Sequence, residues 1–190
     1  MKALILDGSV GENNTIEVVH RMLVDELNRH GWKSQTYVGK DMNIAYCAGC
    51  FGCWIKTPGV CRIDDAAREV ATTAIRSDLV ILITPITFGG YSSEAKKLLD
   101  RMVPILSPFF TKVGGEIHHI KRYKKYPSLL AIGVLPKPDE IAEGIFTSLV
   151  SRNAINMQGP VYTSGVVTPG RPDVIKDKIK SLLDRVGVPK

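Results

Sequence analysis

"DLVILITP", residues 78–85, is apolar from Leu79 to Ile83 and closes on Pro85. A half-buried strand alternates apolar and polar residues. This one has nothing to offer water on either face, so it reads as an inner strand of a parallel sheet covered by helices on both sides. "KALILD" (2–7) has the same character and stops at Gly8. "WKSQTYVG" (32–39) alternates, as a strand nearer the sheet edge does, while "PSLLAIGVL" (127–135) and "GPVYTSGVV" (159–167) complete a set of five. Helical periods fill the intervals. The first, capped by Asn14 or Thr15, carries Ile16, Val19, Met22, Leu23 and Leu27 on one face and ends at Gly31. Asp64 and Asp65 suit the start of a second, running through Ala66, Val70, Ala74 and Ile75. Others are predicted over about 92–103, 139–155 and 172–187, the last opened by Pro172. Strand and helix thus alternate five times, which predicts one doubly wound α/β domain over 1–190, a three-layer sandwich around a five-stranded parallel sheet of order 2-1-3-4-5. Residues 104–126 break the period with Pro, Gly and His, and are expected to form an irregular surface excursion.

Composition narrows the function classes. The chain has 190 residues, 44% of them hydrophobic, with a formal net charge of +6. That length suffices for one full core. No apolar run approaches the roughly 18 residues of a membrane span, and "MKALILDGSV" is too strand-like for a signal peptide, so a cytoplasmic protein with reduced thiols is expected. The densest basic stretch, "HHIKRYKKY" (118–126), interleaves Tyr with cations as a nucleic-acid surface would. A solvated face, or a field that steers an anionic cofactor or redox partner, accounts for it more simply, and nucleic acid is not the expected partner. The four His, at 20, 30, 118 and 119, show no ligand spacing and are expected at the surface or in caps, and no Ser-His-Asp set stands out.

In a sheet of this order a ligand sits at the carboxyl ends of the strands, at the switch point between the first and third. After Asp7 the chain reads "GSVGENNT". Gly8 and Gly11 permit a tight turn, Ser9 and Thr15 supply hydroxyls, Asn13 and Asn14 amides, and the following helix opens with free N–H groups. These groups bind phosphate without a cation, although a turn that merely caps its helix would read similarly. Neither a Walker loop nor G-x-G-x-x-G is present. After the third strand comes "TPITFGGYSSEAKKLLDR" (84–101), in which Gly89-Gly90, Phe88 and Tyr91 let backbone and rings approach a flat heterocycle.

Together these two loops resemble those of the flavodoxin-like NAD(P)H-dependent FMN reductase family, whose first loop usually runs Gly-Ser-Pro-Arg before Asn-Thr and whose second ends in Asp-Arg. The resemblance covers about residues 2–102. It implies that Ser9, Asn14 and Thr15, with Gly11 and Asn13 of the same loop, hold the phosphate of FMN, and that Pro85, Ile86, Thr87, Phe88 and Gly89 line its ring system. Three departures stand out: Val10-Gly11 where Pro-Arg is usual, Thr87 where Tyr is frequent, and "GVLPKPDE" (133–140) in place of a Gly-rich third loop.

All four cysteines fall within "YCAGCFGCWIKTPGVCRIDD" (46–65): Cys47, Cys50, Cys53 and Cys61. Two-residue gaps let successive thiolates converge, and Pro58-Gly59 can turn the chain so that Cys61 returns as a fourth ligand. A zinc site, a redox dithiol and a metal-free loop (46–63) remain open beside an iron-sulfur cluster. Within the family the pattern is similar to that of the iron-sulfur flavoproteins, which implies a [4Fe-4S] cluster on these four residues. The expectation is an FMN-binding oxidoreductase of that type, forming homo-oligomers and passing electrons to a partner protein or a small-molecule acceptor, with NAD(P)H as a possible donor. A metal-free NAD(P)H-dependent FMN or quinone reductase, or a non-redox binding module of the same fold, are the alternatives. In every enzymatic case the flavin, not a side chain, carries the chemistry.

Overall fold

The computed structural model describes residues 1–188; Pro189 and Lys190, within the domain expected over 1–190, lie outside them. The chain runs β1 (Lys2–Asp7), α1 (Asn14–Arg29), β2 (Lys33–Val38), α2 (Gly52–Ile55), α3 (Ala67–Arg76), β3 (Leu79–Thr87), β4 (Gly90–Tyr91), α4 (Ser93–Asp100), β5 (Leu106–Val113), β6 (Glu116–Lys121), β7 (Ser128–Val134), α5 (Glu140–Met157), β8 (Tyr162–Val167) and α6 (Pro172–Arg185). The main sheet is ordered β2-β1-β3-β7-β8 with every neighbour parallel, which is the expected 2-1-3-4-5 winding.

The alternation of β1 and β3 explains the two cores. Ala3, Ile5, Leu79, Ile81 and Ile83 face α1 and α6, burying Val19, Leu23, Ile179 and Leu182. Leu4, Leu6, Val80 and Leu82 face α3, α4 and α5, against Val70, Leu98 and Phe146. Successive residues therefore point into different cores, and both must be apolar. β2, with half-buried positions, is an edge strand as its alternation predicts.

The excursion at 104–126 differs from expectation. A 3-10 turn at Val103–Ile105 leads into an antiparallel hairpin, β5 with β6, turned at Gly114 and Gly115 with φ of +58° and +88°. A two-residue Gly-Gly turn between β-rich segments is a hairpin signal, because both central residues of the tight turn need φ above zero. The same two glycines break a helical period, which is why the stretch resembles an irregular loop in sequence. The hairpin docks on the domain through His118, which is buried and reaches both Asn156 of α5 (3.0 Å) and Glu116 (3.0 Å). Glu116 also pairs with Arg152. His119 lies between the rings of Trp54 and Phe110, at 4.8 and 4.7 Å. His118 and His119 thus leave the surface roles expected of them. His20 bonds Thr36, and His30 caps the end of α1 and contacts Glu26.

Candidate cofactor site

The loop after β1 is fixed at both ends. Gly8 donates to Ile83 O (2.8 Å), and its carbonyl accepts from Ser92 Oγ (2.5 Å). Ser92 in turn caps α4 through Ala95 N. A side chain at position 8 would put Cβ 2.5 Å from that of Ala95, so glycine is required by the close approach of α4. Ser9 is buried, and its amide donates to Asp7 Oδ1 (2.8 Å), which curls the loop back over the strand end. Asn13, rather than Asn14 or Thr15, caps α1, its Oδ1 accepting from Ile16 N (3.1 Å). That carboxamide oxygen is spent on the helix. The amides of Asn14 and Thr15 are left as the terminal donors of a 16-residue helix. Gly11 is open: a Cβ there would meet nothing within 4 Å.

Lys40 is not among the residues that the sequence singles out. It follows β2 in a 3-10 turn (Gly39–Asp41), and its Nζ lies 3.4 Å from Gly11 O, bringing a cation to a loop that has none of its own. The turn is held from below by α4: buried Lys97 donates to Gly39 O (3.2 Å) and pairs with Glu94 (2.5 Å). No local sequence signal links Lys40 to residue 11. Only the adjacency of β1 and β2 does.

The second loop is a miniature hairpin. Ile86 and Thr87 pair with Tyr91 and Gly90, turned at Phe88 and Gly89 with φ of +50° and +75°. A non-glycine residue at positive φ carries backbone strain, held here because the turn is pinned by α5. A Cβ on Gly89 would meet Ile145, and Tyr91 accepts from Asn153 Nδ2 (3.0 Å) while its ring packs edge-on to Phe146. Burial raises the Tyr91 phenol above its ordinary value, so it stays neutral. Pro85 pairs with Val134 at the end of β3, and Ile86 is half-buried over Gly133. Phe88 is fully exposed at the tip, its ring turned to solvent rather than onto the domain. The donor set around residues 8–15, hydroxyls, helix-terminal amides and one cation, fits a phosphate monoester. The paired backbone at 85–91 offers a rigid edge for a flat ring.

The cysteine segment folds back on itself. Phe51, in a left-handed conformation, starts the single turn α2. Gly59 then donates to Cys53 O (2.9 Å), Val60 to Thr57 O (2.8 Å), and Thr57 Oγ1 to Val60 O (2.8 Å). The span 54–60 is therefore a closed turn that returns Cys61 to the others. All four cysteines line one pocket of about 250 Å³, together with Arg62, Arg101, Val103 and Pro104. Cys47 and Cys50 are exposed, Cys61 is intermediate and Cys53 is buried. Burial pushes the Cys53 thiol up, and the nearby Cys61, Cys47 and Cys50 add to it. All four are free thiols. Among the described residues no three His, Cys, Asp or Glu side chains are grouped as they would be around a metal ion. Four thiols on one pocket are the donor set that an iron-sulfur centre uses.

Asp65 has a second role besides opening α3. Its Oδ1 accepts from Ala67 N (3.0 Å), while Arg101, from the end of α4, forks onto both oxygens at 2.7 and 2.8 Å. The cap position itself is Ala66, and Asp64 pairs with Arg68. Burial alone would raise the Asp65 carboxyl, but Arg101 and the Ala45 and Ala67 amides outweigh it and hold the group below its usual range. Arg101 Nη2 also reaches Cys61 Sγ (3.4 Å), and Nη1 donates to Ala45 O (2.6 Å). The Trp54 ring stacks on Phe51 at 5.2 Å, and its Nε1 donates to Val103 O (3.3 Å).

A doubly wound sheet with two loops at its switch point, the second running into a capped helix, defines a flavodoxin-like mononucleotide-binding class. Residues 1–121 match the sequence model described as NADPH-dependent FMN reductase, and the chain belongs to that family. An iron-sulfur flavoprotein of Methanocaldococcus jannaschii is 29% identical over 119 residues, 62% of this chain and 61% of that protein. Another, of Archaeoglobus fulgidus, is 29% identical over 101 residues, 53% of this chain and 48% of the relative. The matched part thus spans less than two thirds of either relative. Among solved structures, the fold resembles an NAD(P)H:quinone oxidoreductase from Methanothermobacter marburgensis (TM-score 0.71, 13% identity, 95% of this chain and 94% of that one). It also resembles an FMN-dependent NADH-azoreductase of Bacillus anthracis in complex with FMN (TM-score 0.67, 11% identity, 97% of each chain). At these identities the likeness concerns the fold.

Proposed function

We propose that the chain is an FMN-binding oxidoreductase of the iron-sulfur flavoprotein type. FMN, when bound, supplies hydride and single-electron chemistry. In this reading Ser9, Gly11, Asn14 and Thr15 bind its phosphate through hydroxyl and amide donors, with Asn13 fixing the helix start and Lys40 adding charge. Pro85, Ile86, Thr87, Phe88 and Gly89 orient the ring, and the Ser92–Gly8 hydrogen bond fixes the two loops relative to each other. Cys47, Cys50, Cys53 and Cys61 hold a [4Fe-4S] cluster. The convergence of these four thiols on one pocket, returned there by the closed turn at 54–60, is the observation that carries the reading over a metal-free reductase.

The donor is NADPH, which the family description names, or NADH, and the acceptor is a partner protein or a small molecule such as the quinone in the name of the Methanothermobacter marburgensis oxidoreductase. A homo-oligomer in the cytoplasm completes the proposal; among the described residues no helix is long and apolar enough to cross a membrane. Anaerobically purified protein is expected to show flavin bands, with about four irons and four acid-labile sulfides per chain, and light scattering is expected to give more than one chain per particle. Flavin without iron, even after reconstitution, would leave the metal-free reductase. Absence of any FMN-dependent thermal shift would leave a non-redox module.

A further inference from the structure

Arg101 is 2% exposed and lies on the wall of the four-cysteine pocket. Burying a guanidinium is costly unless it is paired and hydrogen-bonded. Asp65 meets most of that cost with its two-pronged contact, and the carbonyls of Ala45 and Ile63 take further N–H groups. Two features are left over. The two N–H groups of Nη2 serve three acceptors, so the one not given to Asp65 is shared between Ile63 O and the Cys61 sulfur, both at 3.4 Å, and Nε is buried with no partner among the described residues. A side chain serving only as a strut for the loop would not need to turn a donor onto a thiol. Helix α4 ends at Asp100, so the placement of Arg101 is inherited from a rigid element rather than from the cysteine loop itself.

We propose that Arg101, held by Asp65, is a positioning residue that sets the charge of the four-cysteine pocket: it presents an N–H to the Cys61 sulfur and favours the reduced state of a cluster bound there. The inference rests on the iron-sulfur reading above. Reduction of a four-thiolate cluster adds one electron and one unit of negative charge without a proton. A hydrogen bond to a ligating sulfur is stronger when that sulfur carries more charge, so the contact stabilises the reduced state more than the oxidised one. The ion pair is neutral as a whole, yet its cationic end faces the sulfur, and the dipole acts in the same direction.

The test uses the full chain, anaerobically purified or reconstituted, with dithionite as reductant. With 15N-arginine labelling, pulsed EPR of the reduced cluster is expected to show in the wild type a 15N coupling that is lost in the double variant D65N/R101Q; a coupling that persists there belongs to Arg62, which lines the same pocket, and would overturn the inference. Arg101→Lys keeps the charge and loses the fork, and the double variant D65N/R101Q removes the ion pair without stranding one charge. Both are expected to retain iron while the equilibrium constant for cluster reduction falls, by tenfold or more in the double variant, which is a shift of about 59 mV to more negative potential for one electron. Variants that keep four irons with an unmoved potential, or a wild type without the coupling, would overturn the inference alone. A wild type that takes up no iron overturns the iron-sulfur reading, and the inference falls with it.

Discussion

Two loops leave neighbouring parallel strands at the same edge of the sheet and are held by opposite means. The loop after β1 is short, and most of its contacts join groups near in sequence or on the neighbouring strand: Asp7 to Ser9, Asn13 to Ile16, Gly8 to Ile83, the exceptions being the Ser92 hydroxyl on Gly8 O and Lys40 on Gly11 O. The segment after β2 is long, and its fixing contact joins Asp65 to Arg101, 36 residues away. The first can be read from local turn and cap chemistry. The second depends on where α4 ends, which no local pattern states. A site assembled from local backbone tolerates side-chain change well, whereas one assembled around a buried ion pair concentrates its stability in two residues.

That contrast makes unequal demands on mutants. Asp65→Ala strands the Arg101 guanidinium and is expected to cost about 3–5 kcal/mol in urea unfolding. A loss below about 1 kcal/mol would place the pair's strength elsewhere. Gly8→Ala forces a methyl onto Ala95 and is expected to cost about 1–3 kcal/mol and to weaken FMN binding, since the Ser92 contact must shift. Lys40→Ala should leave unfolding unchanged and weaken FMN about three- to tenfold, roughly 0.6–1.4 kcal/mol, with riboflavin affinity unaffected because it lacks the phosphate. Equal losses for both flavins would remove Lys40 from the phosphate site.

The smallest effect is expected in the hairpin, whose latch titrates. Hydrogen bonds from Arg152 and then His118 lower the Glu116 carboxyl to about 2, and acceptors on Asn156 and Glu116 raise His118 above its ordinary value. A lowered carboxyl contributes stability above its unfolded value, near pH 4.5, and loses it as the pH falls towards about 2. A raised imidazole contributes fully below its unfolded value, near pH 6.5, and loses that contribution as the pH climbs through its folded value. Amide protection factors over 106–121, that is the intrinsic exchange rate at each pH divided by the observed one, should therefore be largest between these limits and fall on both sides. A flat profile of protection would mean that the ring contacts of His119 with Trp54 and Phe110 hold the hairpin without the latch.

The same distinction governs what is legible in the sequence. Five strands and their order are legible because burial on both faces, or on one, is written in each short run: β3 is apolar throughout and β2 alternates. The phosphate-loop candidates fall on one turn, although Asn13 takes the cap expected of Asn14 or Thr15. All four thiols come to one pocket. The hairpin at 106–121 differs from the irregular excursion expected there, although Gly114-Gly115 announces it, because a Gly pair ends a helical period and turns a hairpin equally well. Lys40 and the Asp65–Arg101 pair are not legible. Each is a meeting of residues distant in sequence, created by strand order and by the length of a helix.

That helix, α4, has a metric consequence. Its first cap, Ser92, is bonded to Gly8 of the loop after β1, and its last cap, Arg101, touches Cys61. Eight helical residues rise about 12 Å, so one rigid rod gauges the interval between that loop and the thiols. Neither end can drift without the other, and a single residue inserted into the rod would rotate Arg101 by about 100° relative to Ser92, off the sulfur it now meets.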